Sequence, residues 1–142
     1  MTVETQQSFL GVGWAYPIQL DASCSRPLIA TGEALVHMSI EQIINTDPNE
    51  WPFRVKDGVG FGTRVRRALF EPMDVLTDIF RYEVPRALRV WEPRIIVLAA
   101  DADVVPTDPN LMRGSVRFRY RVTNREDNFV RPYRLKKPET QQ

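Results

Sequence analysis

Residues 88 to 98 read LRVWEPRIIVL, and the junction in their middle, Glu92-Pro93-Arg94, decides how the chain is laid out. Upstream, Leu76, Phe80, Val84, Ala87, Leu88 and Trp91 form one apolar stripe, which predicts a main helix after Pro72, capped by Asp74. Downstream, RIIVLAADADV is a β-branched run that reads as a well-buried strand. The proline between them cannot continue a helix and drives Glu92 into extended backbone. Residues two apart in extended chain point the same way, so the Glu92 carboxylate and the Arg94 guanidinium are expected on one face of the corner, as a paired-charge knob. Glu92 also stands at the negative end of the helix dipole, where an acid is disfavoured by about 0.3–1 kcal/mol, so helix stability does not explain its presence. From position alone the pair reads equally as an exposed ion pair worth about 0–1 kcal/mol or as a recognition element.

Outward from this corner the pattern is regular. Beyond a Pro/Asp/Asn turn at 106–110, SVRFRYRVT alternates: Val116, Phe118, Tyr120 and Val122 face one way, Arg117, Arg119 and Arg121 the other. This predicts a half-exposed strand over 115–123, antiparallel to the strand before it. Before the main helix, TRVRRALF reads as a short helical piece, and TDPNEWPFRVKDGVGFG as a connection holding at most a short strand at Phe53 to Lys56 and no independent structure. Thr31 offers an N-cap to a first helix over 32–46, whose stripe is Val36, Ile40, Ile43 and Ile44. Phe9 to Ile18, with Gly11, Gly13 and Pro17 among apolar residues, suits an extended segment. Pro85 inside the main helix predicts a kink or a change of phase. The sum is an α+β chain, a single small domain over 1–142 with two to three helices packed on a mainly antiparallel sheet, and flexible tails at 1–8 and 135–142.

Composition excludes several classes. Lys plus Arg number 19 against 18 Asp plus Glu, so no global field draws the chain to nucleic acid or an anionic membrane. The single Cys24 cannot form an internal disulfide, and the lone His37 rules out multi-His or Cys/His clusters, so no metal or other cofactor is expected and a reducing cytoplasm fits. FLGVGWAYPI is too short to span a bilayer and follows Glu4 where a signal peptide carries basic residues, so no direct membrane insertion is expected.

Four motifs in order, LGVGWAYPIQLD, SIEQII, FGTRVRRALFEPMD and WEPRI, cover most of the chain from about Phe9 to Tyr133. Together they closely resemble the baseplate wedge family of contractile-tailed phages, type VI secretion and other contractile injection systems. The family's Glu-Pro-Arg triplet falls on Glu92, Pro93 and Arg94. The resemblance implies a small structural subunit with no chemistry of its own, assembled in the cytoplasm into a tail or injection particle. Its implied partners are the larger wedge subunits, bound through Glu92, Pro93 and Arg94, and the first layer of sheath, in a sixfold arrangement. Sheath subunits of such machines exchange strands, so an edge strand is needed; the strand from Ser115 to Thr123, with the following NFVRPYRL, is the candidate, and Arg117, Arg119 and Arg121 its matching sites for sheath acids. Two departures stand out: Asn49-Glu50-Trp51 replaces a Gly-Glu-Arg turn, with the basic residue postponed to Arg54, and Pro85 interrupts the main helix.

Other classes fit less well. Relatives of this family are labelled lysozyme-like, but the carboxylates available for a glycosidase pair, Glu71, Asp74, Glu83 and Glu92, lie at helix ends or on a helix surface with nothing in their spacing to favour a cleft. GVGFG at 58–62 reads as a flexible connection far more readily than as a phosphate cradle. Strict alternation puts Phe118 and Tyr120 opposite the arginines, which denies nucleic-acid bases a stacking platform. A small protein-binding adaptor is the remaining alternative, by fold analogy alone.

Overall fold

The computed structural model describes residues 10–136. The expected tail at 1–8 lies outside the described residues, as does most of the one at 135–142. The first two residues of the latter are tied down: Leu135 N–H donates to the Asn110 carbonyl and Lys136 N–H to the Leu69 carbonyl. The chain is α+β, its sheets antiparallel, and it divides into two compact units, 1–42 and 43–142.

In the first unit, β1 (Val12–Trp14) pairs with β2 (Ile29–Thr31) in register Val12↔Thr31 and Trp14↔Ile29. Period-two alternation sends Ala30 inward and lays Gly13 against Leu35, while Val12, Trp14 and Ile29 face solvent. Thr31 ends β2, and α1 (Gly32–Asn45) starts directly after it. Its stripe is buried as the spacing requires: Val36 and Ile40 in the first unit, Ile43 and Ile44 in the second.

The second unit begins with more structure than the connection and short strand expected at 53–56. A 3₁₀ helix (Pro48–Glu50) leads into a hairpin of β3 (Val55–Lys56) and β4 (Val59–Gly60). Its two-residue turn, Asp57-Gly58, has φ of 52° and 74°, the left-handed conformation such tight turns demand. Then follow α2 (Val65–Ala68), α3 (Met73–Trp91) and three long strands, β5 (Ile95–Val104), β6 (Leu111–Tyr120) and β7 (Glu126–Arg134). The N-cap of α3 is Pro72, without a side-chain bond, so Asp74 contributes a first-turn charge and not the expected cap. The helix runs through Pro85 without a break.

The helix α3 lies on β5 and β6. At Gly114 the approach leaves no room for a side chain: a Cβ there would stand 2.6 Å from Phe80 ring atoms. Leu76, Phe80 and Leu88 of α3 and Met112, Val116, Phe118, Tyr120 and Phe129 of the sheet are all buried in the core. The reading of β5 as a well-buried strand is corrected: Ile95, Val97 and Ala102 are buried but Asp101 and Asp103 are exposed, because this antiparallel sheet is covered on one face. Val122 is also corrected, being 72% exposed in the turn after β6. The larger correction concerns topology. Sheet order is β5-β6-β7, so the strand of Arg117 and Arg119 is central and both its sides are paired.

Candidate functional site

Where α3 hands over to β5, the cap residue Glu92 has φ −121°, the extended backbone that Pro93 imposes. The two side chains meet as expected: Arg94 Nε donates to Glu92 Oε1 at 2.6 Å and Arg94 Nη2 to Oε2 at 2.6 Å, a bidentate fork. The backbone N–H of Arg94 adds a third bond to Oε1 at 3.3 Å. The exposed knob is nonetheless corrected on one point: Glu92 is 1% exposed, while the Arg94 side chain keeps 29%. Pairing with Glu92 raises the Arg94 pKa above its ordinary value despite partial burial, so the guanidinium stays charged.

Arg121 belongs to this corner. Its Nε donates to the Pro93 carbonyl at 2.8 Å and its backbone N–H to the Arg94 carbonyl at 3.0 Å. Placed in the turn after β6 by the β5–β6 register, it clamps the triplet's backbone and does not stand with Arg117 and Arg119 as a row on an edge. The site is thus a buried carboxylate, a partly exposed guanidinium over it, an exposed proline, and a second arginine holding the loop.

Arg117 and Arg119 lie on the open face of the sheet. Arg119 faces Ile96 on one side and Glu126 on the other, and Arg117 faces Ala99 and Asn128. The Arg119 Nε is buried with no acceptor among the described residues. The free edge next to this face is β7. Because Tyr120 N–H donates to the Arg125 carbonyl and Leu135 N–H to Asn110, the bonded pairs of the β6–β7 ladder are the odd-numbered residues of β7. Glu126, Asn128, Val130, Pro132 and Arg134 therefore turn their backbone groups outward. This edge is blunted: Asp127 Oδ1 accepts the Asn128 N–H, Arg131 Nη1 donates to the Val130 carbonyl, and Pro132 has no N–H to offer. On the far edge, Arg81 Nη2 of α3 donates to the Ala102 carbonyl at 2.7 Å.

The carboxylates weighed for hydrolysis are differently placed. Glu83 is held by Arg64 through both backbone and side chain, and Glu92 by Arg94. Glu71 and Asp74 are exposed and do not sit in an apolar pocket. The glycines of 58–62 line an open hollow of about 130 Å³ with Arg64, Glu83 and Arg86, and its one carboxylate is the Glu83 already paired. Phe118 and Tyr120 are fully buried and cannot stack on bases. No metal-binding cluster and no helix long and apolar enough to cross a membrane occur among the described residues.

A family model described as baseplate wedge protein gp25 matches residues 30–125. Among solved structures, a Geobacter sulfurreducens protein provisionally described as a tail lysozyme shares 28% identity at a TM-score of 0.60, over 74% of this chain and 92% of its own. A chain in the sixfold-symmetrised baseplate of the anti-feeding prophage shares 16% identity at a TM-score of 0.55, over 95% of this chain and 94% of its own, a likeness of fold. No curated protein sequence matches the chain.

Proposed function

Since the chain belongs to the family of baseplate wedge protein gp25, we propose that it is a structural subunit of the baseplate of a contractile tail or injection machine, without enzymatic activity. The family match over residues 30–125 carries this reading. It supports assembly with other baseplate subunits, in the sixfold particle that the anti-feeding prophage baseplate exemplifies. The corner of Glu92, Pro93 and Arg94 is the surface for the larger wedge subunits. There Arg94 and Pro93 make the contact, Glu92 holds Arg94 at a fixed angle from below, and Arg121 holds the backbone. A guanidinium already paired and oriented loses little freedom on docking, which favours specific recognition of a partner carboxylate or carbonyl.

Sheath attachment falls to the open side of the sheet. Its template is the outward edge of β7, and Arg117 and Arg119 present charge beside it to sheath acids. The groups left open on this edge, interrupted at Asn128 and Pro132, restrict where an incoming strand can pair and so select its register.

Affinity purification of the tagged chain from its native producer tests the reading. Large wedge subunits and sheath are expected to co-purify, and the purified chain is expected not to clear peptidoglycan between pH 4 and 8. Clearing that vanishes on substitution of Glu71, Asp74, Glu83 or Glu92 would replace the structural reading with lysozyme-like hydrolysis.

A further inference from the structure

The segment Trp51-Pro52-Phe53 projects three apolar groups that the fold does not use. Phe53 is 99% exposed, Trp51 58%, and Val55 just beyond them 58%. Everything around them is braced. Asp47 caps the 3₁₀ helix by accepting the Asn49 N–H at 2.9 Å, while the Glu50 carboxylate accepts the Asp47 N–H. Arg67 holds Asp47 with a bidentate fork of 2.9 and 2.8 Å. Arg54 N–H donates to the Trp51 carbonyl, and the Arg54 guanidinium lies 4.4 Å from the Phe61 ring centroid and 5.3 Å from that of Trp91. The Trp91 Nε1 donates to the Gly60 carbonyl, and the base of the loop closes where Thr63 N–H meets the Thr46 carbonyl. The backbone that carries the aromatic tip is thus fixed at its base and flanks, and such preorganisation lowers the entropy lost when an anchor is captured.

Charge and area identify the occupant. The tip carries Glu50, Arg54, Lys56 and Asp57, two charges of each sign, so an anionic membrane exerts no net pull on it. The two aromatics of each tip would bury about 600–1,000 Å² between two copies, short of the roughly 1,200 Å² of a stable specific interface. An aromatic anchor of this size suits a single desolvated pocket inside a larger interface with another protein. We propose that this tip is a docking anchor whose Phe53 ring enters an apolar pocket on a different subunit of the same particle, next to the contacts made by the corner at Glu92. The inference rests on the baseplate reading, which supplies the particle.

A photo-crosslinking benzoyl-phenylalanine at position 53 of the full chain, irradiated in assembled particles and mapped by mass spectrometry, tests it. A crosslink to one apolar segment of a different subunit is expected. Phe53→Ser should melt at the wild-type temperature yet lose about tenfold or more in incorporation when competed against wild type, with Phe53→Leu retaining most of it. Crosslinking only to a second copy, flotation of wild type but not Phe53→Ser with phosphatidylcholine–phosphatidylglycerol vesicles, or equal incorporation of Phe53→Ser without a crosslink overturns the anchor while leaving the baseplate assignment standing. Absence of the wild-type chain from purified particles overturns both.

Discussion

Burial of Glu92 determines what substitution at the corner does. Arg94→Ala leaves an unpaired carboxylate in a site with 1% exposure, and removing one partner of such a pair destabilises by about 2–4 kcal/mol once the partial exposure of Arg94 is allowed for. A lower urea midpoint is therefore expected for the isolated protein, and failed assembly of Arg94→Ala cannot by itself be assigned to lost recognition. Glu92→Met with Arg94→Met removes both charges together and should recover most of the stability; a double variant that folds but no longer co-purifies with wedge subunits isolates the recognition role. Arg121→Ala loses the bond to the Pro93 carbonyl but keeps the backbone bond beside it, so a stability change of about 0.5–1.5 kcal/mol is expected, together with weaker capture of wedge subunits. The pairing of Glu92 with Arg94 was legible in the sequence because Pro93 fixes the backbone between them. The depth of Glu92 and the clamp by Arg121 were not, since both depend on how β5 and β6 align.

Two elements carry the sheet's part of the proposal. Gly114 lets α3 approach β6; Gly114→Ala drives a methyl into the Phe80 ring and should cost about 1–3 kcal/mol, read as a fall in urea midpoint without loss of cooperativity. Val130 turns its N–H away from β6, so Val130→Pro deletes a donor from the free edge while leaving the ladder bonds of the neighbouring residues in place. A folded chain whose baseplates grow no sheath, seen by electron microscopy, is the expected outcome; sheath of normal length from Val130→Pro particles excludes strand addition at this edge. Alternation in SVRFRY correctly assigned its two faces, because side-chain period is local; it failed at Arg121 and Val122, which lie beyond the end of β6. Whether that strand is central or an edge is set by a third strand, and EDNFVRPYR, with its charges and Pro132, carries little strand signal of its own.

Across the whole molecule, helical spacing and the alternating run sufficed for the α+β class, since both report which side of an element is buried. Of the hairpin at 55–60 only the first strand was legible, as the short strand at Phe53 to Lys56; its partner Val59–Gly60 escaped the reading because two residues closed by the Asp57-Gly58 turn carry no periodicity. We propose that the two compact units unfold together, because α1 begins in one and ends in the other; calorimetry should record one transition whose calorimetric and van't Hoff enthalpies agree, and two resolved transitions would show independent domains. The role itself was legible only through the order of motifs, since a structural subunit carries no reacting constellation to recognise. The blunted edge of β7 also bears on how the free chain behaves. Free copies whose outermost strand discourages like-with-like pairing are not expected to seed fibres, so the purified chain should stay dispersed at concentrations where an open edge would aggregate.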